Sequence, residues 1–265
     1  MATEEGTVDP MHQFQIEPLM GSGGWEIAGY NIAFTNSALW MVVTTVLLTV
    51  FVAGGMKREL VPGRWQMMVE SFTGFIDDML EANIGTAGRK YLPYVFSLFM
   101  FILFANLIGL LPFGVLWIHP FTFTSHFTVT GVLAIISFAI VLIVGFWKHG
   151  LKFFSLFVPH GTPLVMIPLI AAIEFFSFLI RPFSLALRLF VAMIAGHVLL
   201  KVFSGFVITG INIVDDGMYF GPLISLASLV MMIAISALEI LVAGIQAYVF
   251  ALLTSLYIND AENLH

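Results

Sequence analysis

Arg188 lies in the run Ser184-Leu185-Ala186-Leu187-Arg188-Leu189-Phe190, inside a long apolar stretch that also carries Glu174, Arg181, His197 and Lys201. A guanidinium does not shed its proton in a protein, so neutralisation cannot relieve the cost of burying it. At a bilayer centre that cost runs from roughly 2.5 to more than 10 kcal/mol. A group kept there reads as a fixed positive charge on an ion pathway. His197 and Glu239 add an imidazole and a carboxyl, a pair suited to relaying protons. Glu174, Arg181 and Arg188 are spaced by heptads and would share one face of a continuous helix, drifting about 20° per heptad. Glu239 and Gln246 share a face by the same spacing. The chemistry these residues suggest is proton transfer on either side of a permanent positive charge that bars direct passage.

The elements that position these groups follow from composition. The chain is 60% hydrophobic and 10% charged, with a mean hydropathy of +1.02. Soluble domains average about 25% charged residues, so this is an integral membrane protein. It has no cysteine, which excludes disulfides, thiolate catalysis, cysteine-ligated zinc and iron–sulfur clusters. No basic segment followed by a short apolar run opens the sequence, so no cleavable signal peptide is expected. No Gly-x-x-x-x-Gly-Lys run occurs, so the sequence offers no P-loop for a nucleotide.

A spanning helix needs about 20 mainly apolar residues. Five such spans are expected, at about 37–55, 93–117, 129–147, 180–211 and 220–258. The last two are too long for a perpendicular crossing and must tilt, bend or extend beyond the bilayer. A shorter apolar piece at about 162–173 reads as a half-span or hairpin arm, and Pro163, Pro168 and Pro182 offer places to break or kink the chain. Residues 64–84 set Trp65, Met68, Phe72, Phe75, Ile76 and Met79 against Glu70, Asp77, Asp78 and Glu81, the pattern of an interfacial amphipathic helix. The fold class is therefore an all-α membrane protein: residues 1–36 an extracytoplasmic segment, residues 37–265 a single transmembrane helical domain.

Orientation follows from counting lysine and arginine. Residues 1–56 hold none, against the five acids Glu4, Glu5, Asp9, Glu17 and Glu26. Lys57, Arg58, Arg64, Arg89 and Lys90 follow the first span, Lys148 and Lys152 follow the third, and Asp215 and Asp216 lie at the turn between the last two. This places the N-terminus outside and the C-terminus inside. With the last two spans antiparallel about that turn, Arg188 lies level with Gln246, and His197 about 13 Å further outward, half a turn from Glu239. Arg181 and Lys201 read equally well as snorkelling residues; the lesser alternative for His197 with Glu239 is a structural polar bridge between helices. His119, His126, His149 and His160 sit near span ends and read as interfacial.

The run from Glu174 to Phe190, including Arg181-Pro182-Phe183-Ser184-Leu185-Ala186-Leu187-Arg188, and closing with Ala195-Gly196-His197, resembles subunit a of the F-type ATP synthase. Asn106-Leu107-Ile108-Gly109-Leu110-Leu111-Pro112 resembles the second-span signature of that family, and Gln246-Ala247-Tyr248-Val249-Phe250 its final helix. The likeness covers about residues 90–258. It implies a stator proton channel in which Arg188 faces the carboxylate of a rotor c-ring, with Gln246 as its neighbour. His197 and Glu239 would line an outer half-channel and Glu174 an inner one; Asn106 joins the proton pathway, and Arg181, Lys201, Asp215 and Asp216 are further candidates. Ala192 stands where the family usually has Asn.

Implied partners are the c-ring, the peripheral-stalk b-type subunits, the rest of the ATP synthase complex and the lipid bilayer. No cofactor, metal or nucleic acid is expected, and protons are favoured over sodium because no oxygen cage is evident. The expected location is a bacterial inner membrane. The competing reading is a secondary ion-coupled transporter. Such folds tend to carry repeats and interrupted helices in both halves, whereas here the charges cluster in the C-terminal third.

Overall fold

The computed structural model describes residues 15, 18, 25–27, 30–32, 34–56, 62–110, 122–157, 166–215 and 221–263. Among these residues five helices are long and apolar enough to cross a membrane. In chain order the elements are strands β1 (Trp25–Ile27) and β2 (Tyr30–Ile32) and helices α1 (Asn36–Gly55), α2 (Arg64–Ile84), α3 (Leu92–Leu110), α4 (Phe127–His149), α5 (Ile167–Asp215) and α6 (Gly221–Glu262). The all-α architecture stands. Among the described residues the structure adds the β1–β2 hairpin, antiparallel with Glu26 opposite Asn31, which apolar periodicity gave no reason to expect, and three short 3-10 helices at Thr86–Tyr91, Phe123–Ser125 and Gly150–Phe157.

Local chemistry sets most boundaries. Thr35 caps α1, its hydroxyl accepting from the Ala38 amide at 3.4 Å. Gly85 ends α2 in the left-handed region at φ 79°, and its amide donates to the Glu81 carbonyl, a stop that favours glycine. α2 is amphipathic as expected. Val69, Ile76, Met79, Leu80 and Ile84 are buried, whereas Trp65, Met67, Met68 and Phe75 are exposed on the chain.

The two C-terminal helices are long, with 49 residues in α5 and 42 in α6. At 1.5 Å per residue their contour lengths are about 74 and 63 Å, more than twice the hydrocarbon thickness of about 30 Å. α5 begins at Ile167 and runs through Pro182. The residues of the expected arm from Ile167 onward are thus the first turns of α5; the remainder of that arm lies outside the described residues. Pro168 is tolerated in the first turn, where its missing N–H has no intrahelical partner anyway. Pro182 removes only one bond, to the Phe178 carbonyl, from a helix with many.

The chain packs as two compact units. The first comprises Met1–Thr44, Leu103–His126 and Phe190–Ile245. Its core holds Trp40, Leu103, Ala105, Ile108, Phe123, Met193 and Ala243, together with the buried polar groups Asn106, Thr122, Thr124, Ser125 and Glu239. The second comprises Thr45–Ile102, Phe127–Leu189 and Gln246–His265. Its core is built from Ile76, Leu80, Val95, Met100, Ile102, Ala134, Val141, Leu185, Leu189, Phe250 and Ile258. Phe178 is its aromatic hub, with ring centroids 4.9 Å from Phe138, 5.6 Å from Phe157 and 6.1 Å from Phe153.

Lipid tails are as apolar as leucine, so close packing and interhelical hydrogen bonds must hold such helices together. In the second unit Tyr94 and Ser137 join α3 to α4 at 2.9 Å, and Asn83 and Ser255 join α2 to α6 at 2.7 Å. Near its C-terminal end α6 is clamped by Glu262, which is 4% exposed. Its carboxylate accepts from Lys90 at 2.9 and 3.0 Å, Tyr91 at 2.7 Å and Lys148 at 2.5 Å. Its carbonyl lies 3.1 Å from both Lys148 Nζ and His149 Nε2.

Candidate functional site

The polar site in the first unit is assembled from four segments. α5 supplies His197, α6 supplies Glu239, α3 supplies Asn106, and the turn before α4 supplies Thr122. His197 Nδ1 lies 3.4 Å from Glu239 Oε1, with the side chains 12% and 2% exposed. The other ring nitrogen, Nε2, lies 2.8 Å from Thr122 Oγ1. Neither carboxyl oxygen of Glu239 has a hydrogen-bond partner among the described residues. A carboxylate buried in that way is costly unless a proton, a cation or water reaches it. The arrangement is thus a carboxyl that lacks a partner except when protons or water arrive, with a proton-carrying imidazole beside it.

Gly196 makes this approach possible. A Cβ at that position would stand 2.6 Å from Glu239 Oε1 and 2.8 Å from its Cδ, so only a glycine lets α6 lay its carboxyl against α5. On the far side of the site Asn106, fully buried, accepts a bond from Thr124 Oγ1 at 2.9 Å and donates to the Ala243 carbonyl at 3.4 Å. Asn106 therefore braces α6 and the Thr122–Ser125 turn from one point on α3. The structure brings His197, Glu239 and Asn106 into one region. It also adds Thr122 and Thr124, which sequence reasoning missed. The one signal for them was a cluster of hydroxyl residues, Thr122, Thr124 and Ser125, between two apolar spans.

The second unit holds the arginines. Arg188 is exposed on the chain and makes no hydrogen bond or ion pair among the described residues. Gln246 and Glu174 are half-buried. Because α5 continues through Pro182, the heptad spacing of Glu174, Arg181 and Arg188 places them on one helix face. Arg181 is committed elsewhere: its Nη1 lies 2.6 Å from Asp260 Oδ2, and its guanidinium sits 4.9 Å over the Tyr257 ring and 5.6 Å over that of Phe178. Asp260 was not anticipated. Lys201 is half-buried on α5, Asp215 is the last residue of α5, and Asp216, His119 and His160 lie outside the described residues. Among the described residues no group of His, Asp and Glu has the makings of a metal site.

A model of the ATP synthase A chain family matches residues 38–259. Over 265 residues, the full length of both chains, the sequence is 80% identical to ATP synthase subunit a of Erythrobacter litoralis and 69% identical to that of Sphingopyxis alaskensis. It is 46% identical over 255 residues to ATP synthase subunit a of Parvibaculum lavamentivorans, covering 96% of this chain and 93% of the other. A match over most of the length, with identities this high, leaves one conclusion: this multi-pass membrane chain belongs to the ATP synthase A chain family.

Proposed function

We propose that this chain carries protons through the membrane sector of an F-type ATP synthase, at its contact with a rotor c-ring. One observation carries the reading. Arg188 projects from the middle of an apolar helix and is exposed on the chain, without an ion-pair partner among the described residues. Left against lipid it would cost several kcal/mol. A rotor carboxylate seated there would supply the missing counter-charge.

The mechanism follows from the groups present. A proton enters from outside, passes between His197 and Glu239, and protonates a c-ring carboxylate. The neutral carboxyl then leaves Arg188 and turns into lipid. After nearly a full rotation it meets the inner half-channel near Glu174 and releases its proton. Arg188 draws the ionised carboxylate back and its fixed charge blocks a direct leak between the half-channels; Gln246 is its neighbour on α6. Asn106 supports the outer pathway. Arg181, Lys201, Asp215 and Asp216 are further candidates for these routes, with less specific roles. Each charge crossing 100 mV delivers about 2.3 kcal/mol, which rotation carries to catalytic subunits elsewhere in the complex.

In this reading the N-terminal segment is extracytoplasmic, the lysine- and arginine-rich loops and the C-terminus face the cytoplasm, and the membrane is a bacterial inner membrane. Peripheral-stalk b-type subunits complete the stator. Family membership leaves the secondary-transporter reading without support. The test is ATP-driven proton uptake by inverted vesicles carrying Arg188→Ala, with assembly checked in the same preparation. Loss of uptake in an assembled complex is expected; undiminished uptake would remove Arg188 from the rotor contact.

A further inference from the structure

We infer that Thr122 is a positioning residue of the outer relay, its hydroxyl holding His197 in place while the imidazole changes tautomer. The inference rests on the reading that protons cross His197. The two ring nitrogens face different partners, Nδ1 toward Glu239 at 3.4 Å and Nε2 toward Thr122 Oγ1 at 2.8 Å. A proton that crosses a neutral imidazole enters at one nitrogen and leaves from the other, so the ring ends in the opposite tautomer.

In the first state Nδ1 carries the ring proton beside the ionised Glu239, 3.4 Å from Oε1, and the Thr122 hydroxyl donates to the bare Nε2. Nδ1 then gives its proton to the carboxylate, breaking the Nδ1–H bond and forming the carboxyl O–H. Nε2 takes the Thr122 hydroxyl proton along the 2.8 Å contact as the hydroxyl oxygen takes one from water on the outer side. The hydroxyl turns about its C–O bond and accepts from the new Nε2–H. A hydroxyl is both donor and acceptor and needs only that rotation to exchange the two roles. No backbone has to move, and the ring keeps its place beside Glu239 throughout.

The surroundings of Thr122 are built to keep its backbone still. Its carbonyl accepts from the Ser125 amide at 3.0 Å and from Ser125 Oγ at 2.5 Å. Two residues on, Thr124 is tied to Asn106 on α3 at 2.9 Å. Gly109, also on α3, leaves room for the side chain itself: a Cβ there would stand 2.1 Å from Thr122 Oγ1 and 2.8 Å from its Cβ and Cγ2. Thr122 is 6% exposed, too little for bulk water to take the hydroxyl's place against Nε2.

The test compares Thr122→Val, which keeps the shape and removes the hydroxyl, with Thr122→Ser, which keeps the hydroxyl. ATP-driven proton uptake is measured in inverted vesicles holding the whole complex, with assembly verified. Uptake about tenfold slower in Thr122→Val is expected, the loss of one well-made hydrogen bond, with Thr122→Ser within about twofold of the parent. Where valine impairs assembly, Thr122→Ala provides the hydroxyl-free member of the comparison. Parental uptake in the hydroxyl-free variant, or equal slowing in Thr122→Ser, overturns the inference. A variant with both His197 and Glu239 made apolar runs alongside. Normal uptake there would refute the relay reading itself, whatever Thr122→Val does, whereas slow uptake there with a parental Thr122→Val refutes only the role of Thr122.

Discussion

Replacing Gly196 with alanine should uncouple the buried acid from its histidine while leaving both in the chain. The added Cβ would lie 2.6 Å from Glu239 Oε1, 2.8 Å from Cδ and 3.1 Å from Cγ. Non-bonded heavy atoms settle at about 3.5–4.0 Å, so the carboxyl must withdraw by about 1 Å. Three consecutive atoms of a side chain that is 2% exposed are involved, and turning the carboxyl tip alone does not clear the clash. Overpacking of this kind costs about 1–3 kcal/mol. The functional cost is larger. Nδ1 and Oε1 already stand 3.4 Å apart, and misplacing reacting groups by about 1 Å slows a step by about a hundredfold. The assay is the initial rate of ATP-driven proton uptake in inverted vesicles, normalised to assembled complex. A rate between one-tenth and one-hundredth of the parental one (roughly, by the same argument) is expected. Parental uptake in a fully assembled Gly196→Ala complex would show that protons do not depend on the contact between α5 and α6 at Glu239.

Two further substitutions test the frame. Glu262→Ala removes the acceptor shared by Lys90, Tyr91 and Lys148; both lysines are about half exposed and recover water, so a loss of about 1–3 kcal/mol is expected. It would be read as a lower thermal midpoint of the purified complex, and an unchanged midpoint would mean the clamp contributes nothing net. Pro182→Ala restores a donor to the Phe178 carbonyl inside α5 and should raise that midpoint, by at most about 3 kcal/mol of helix stability; a lower midpoint would mean that packing along α5 requires the proline.

Much of the architecture was legible because it depends on local composition. An apolar run long enough to span a bilayer becomes a helix there, since the backbone has no other way to satisfy its polar groups in lipid. That argument found α1, α3, α4, α5 and α6 within a few residues at most ends. Charge alternation at helical spacing found α2. The start of α5 was placed late, at 180 instead of Ile167, because Pro168 and Pro182 read as breaks. In a long helix one lost bond is a small fraction of the total, and the first-turn proline loses none.

Rotation about each helix axis is a different matter. α1, α3, α5 and α6 are apolar nearly all round, so their sequences do not mark which side meets a neighbour. His197, Glu239 and Arg188 stood out because polar groups are costly in lipid, and counting residues about the last turn set His197 near the depth of Glu239. Thr122, Thr124 and Asp260 did not stand out, since a hydroxyl or an acid near a span end costs little by itself. The sequence alone determined how many helices cross, where the charges gather and which residues are too polar for lipid to tolerate without use. Tertiary structure alone decided that Nε2 of His197 meets Thr122, that Gly196 admits the Glu239 carboxyl, that Arg181 is spent on Asp260, and that Arg188 is left facing outward. The physical reason is that hydropathy depends on what a residue is, whereas a hydrogen bond between helices depends on distance and angle across a contact that no single stretch of sequence contains.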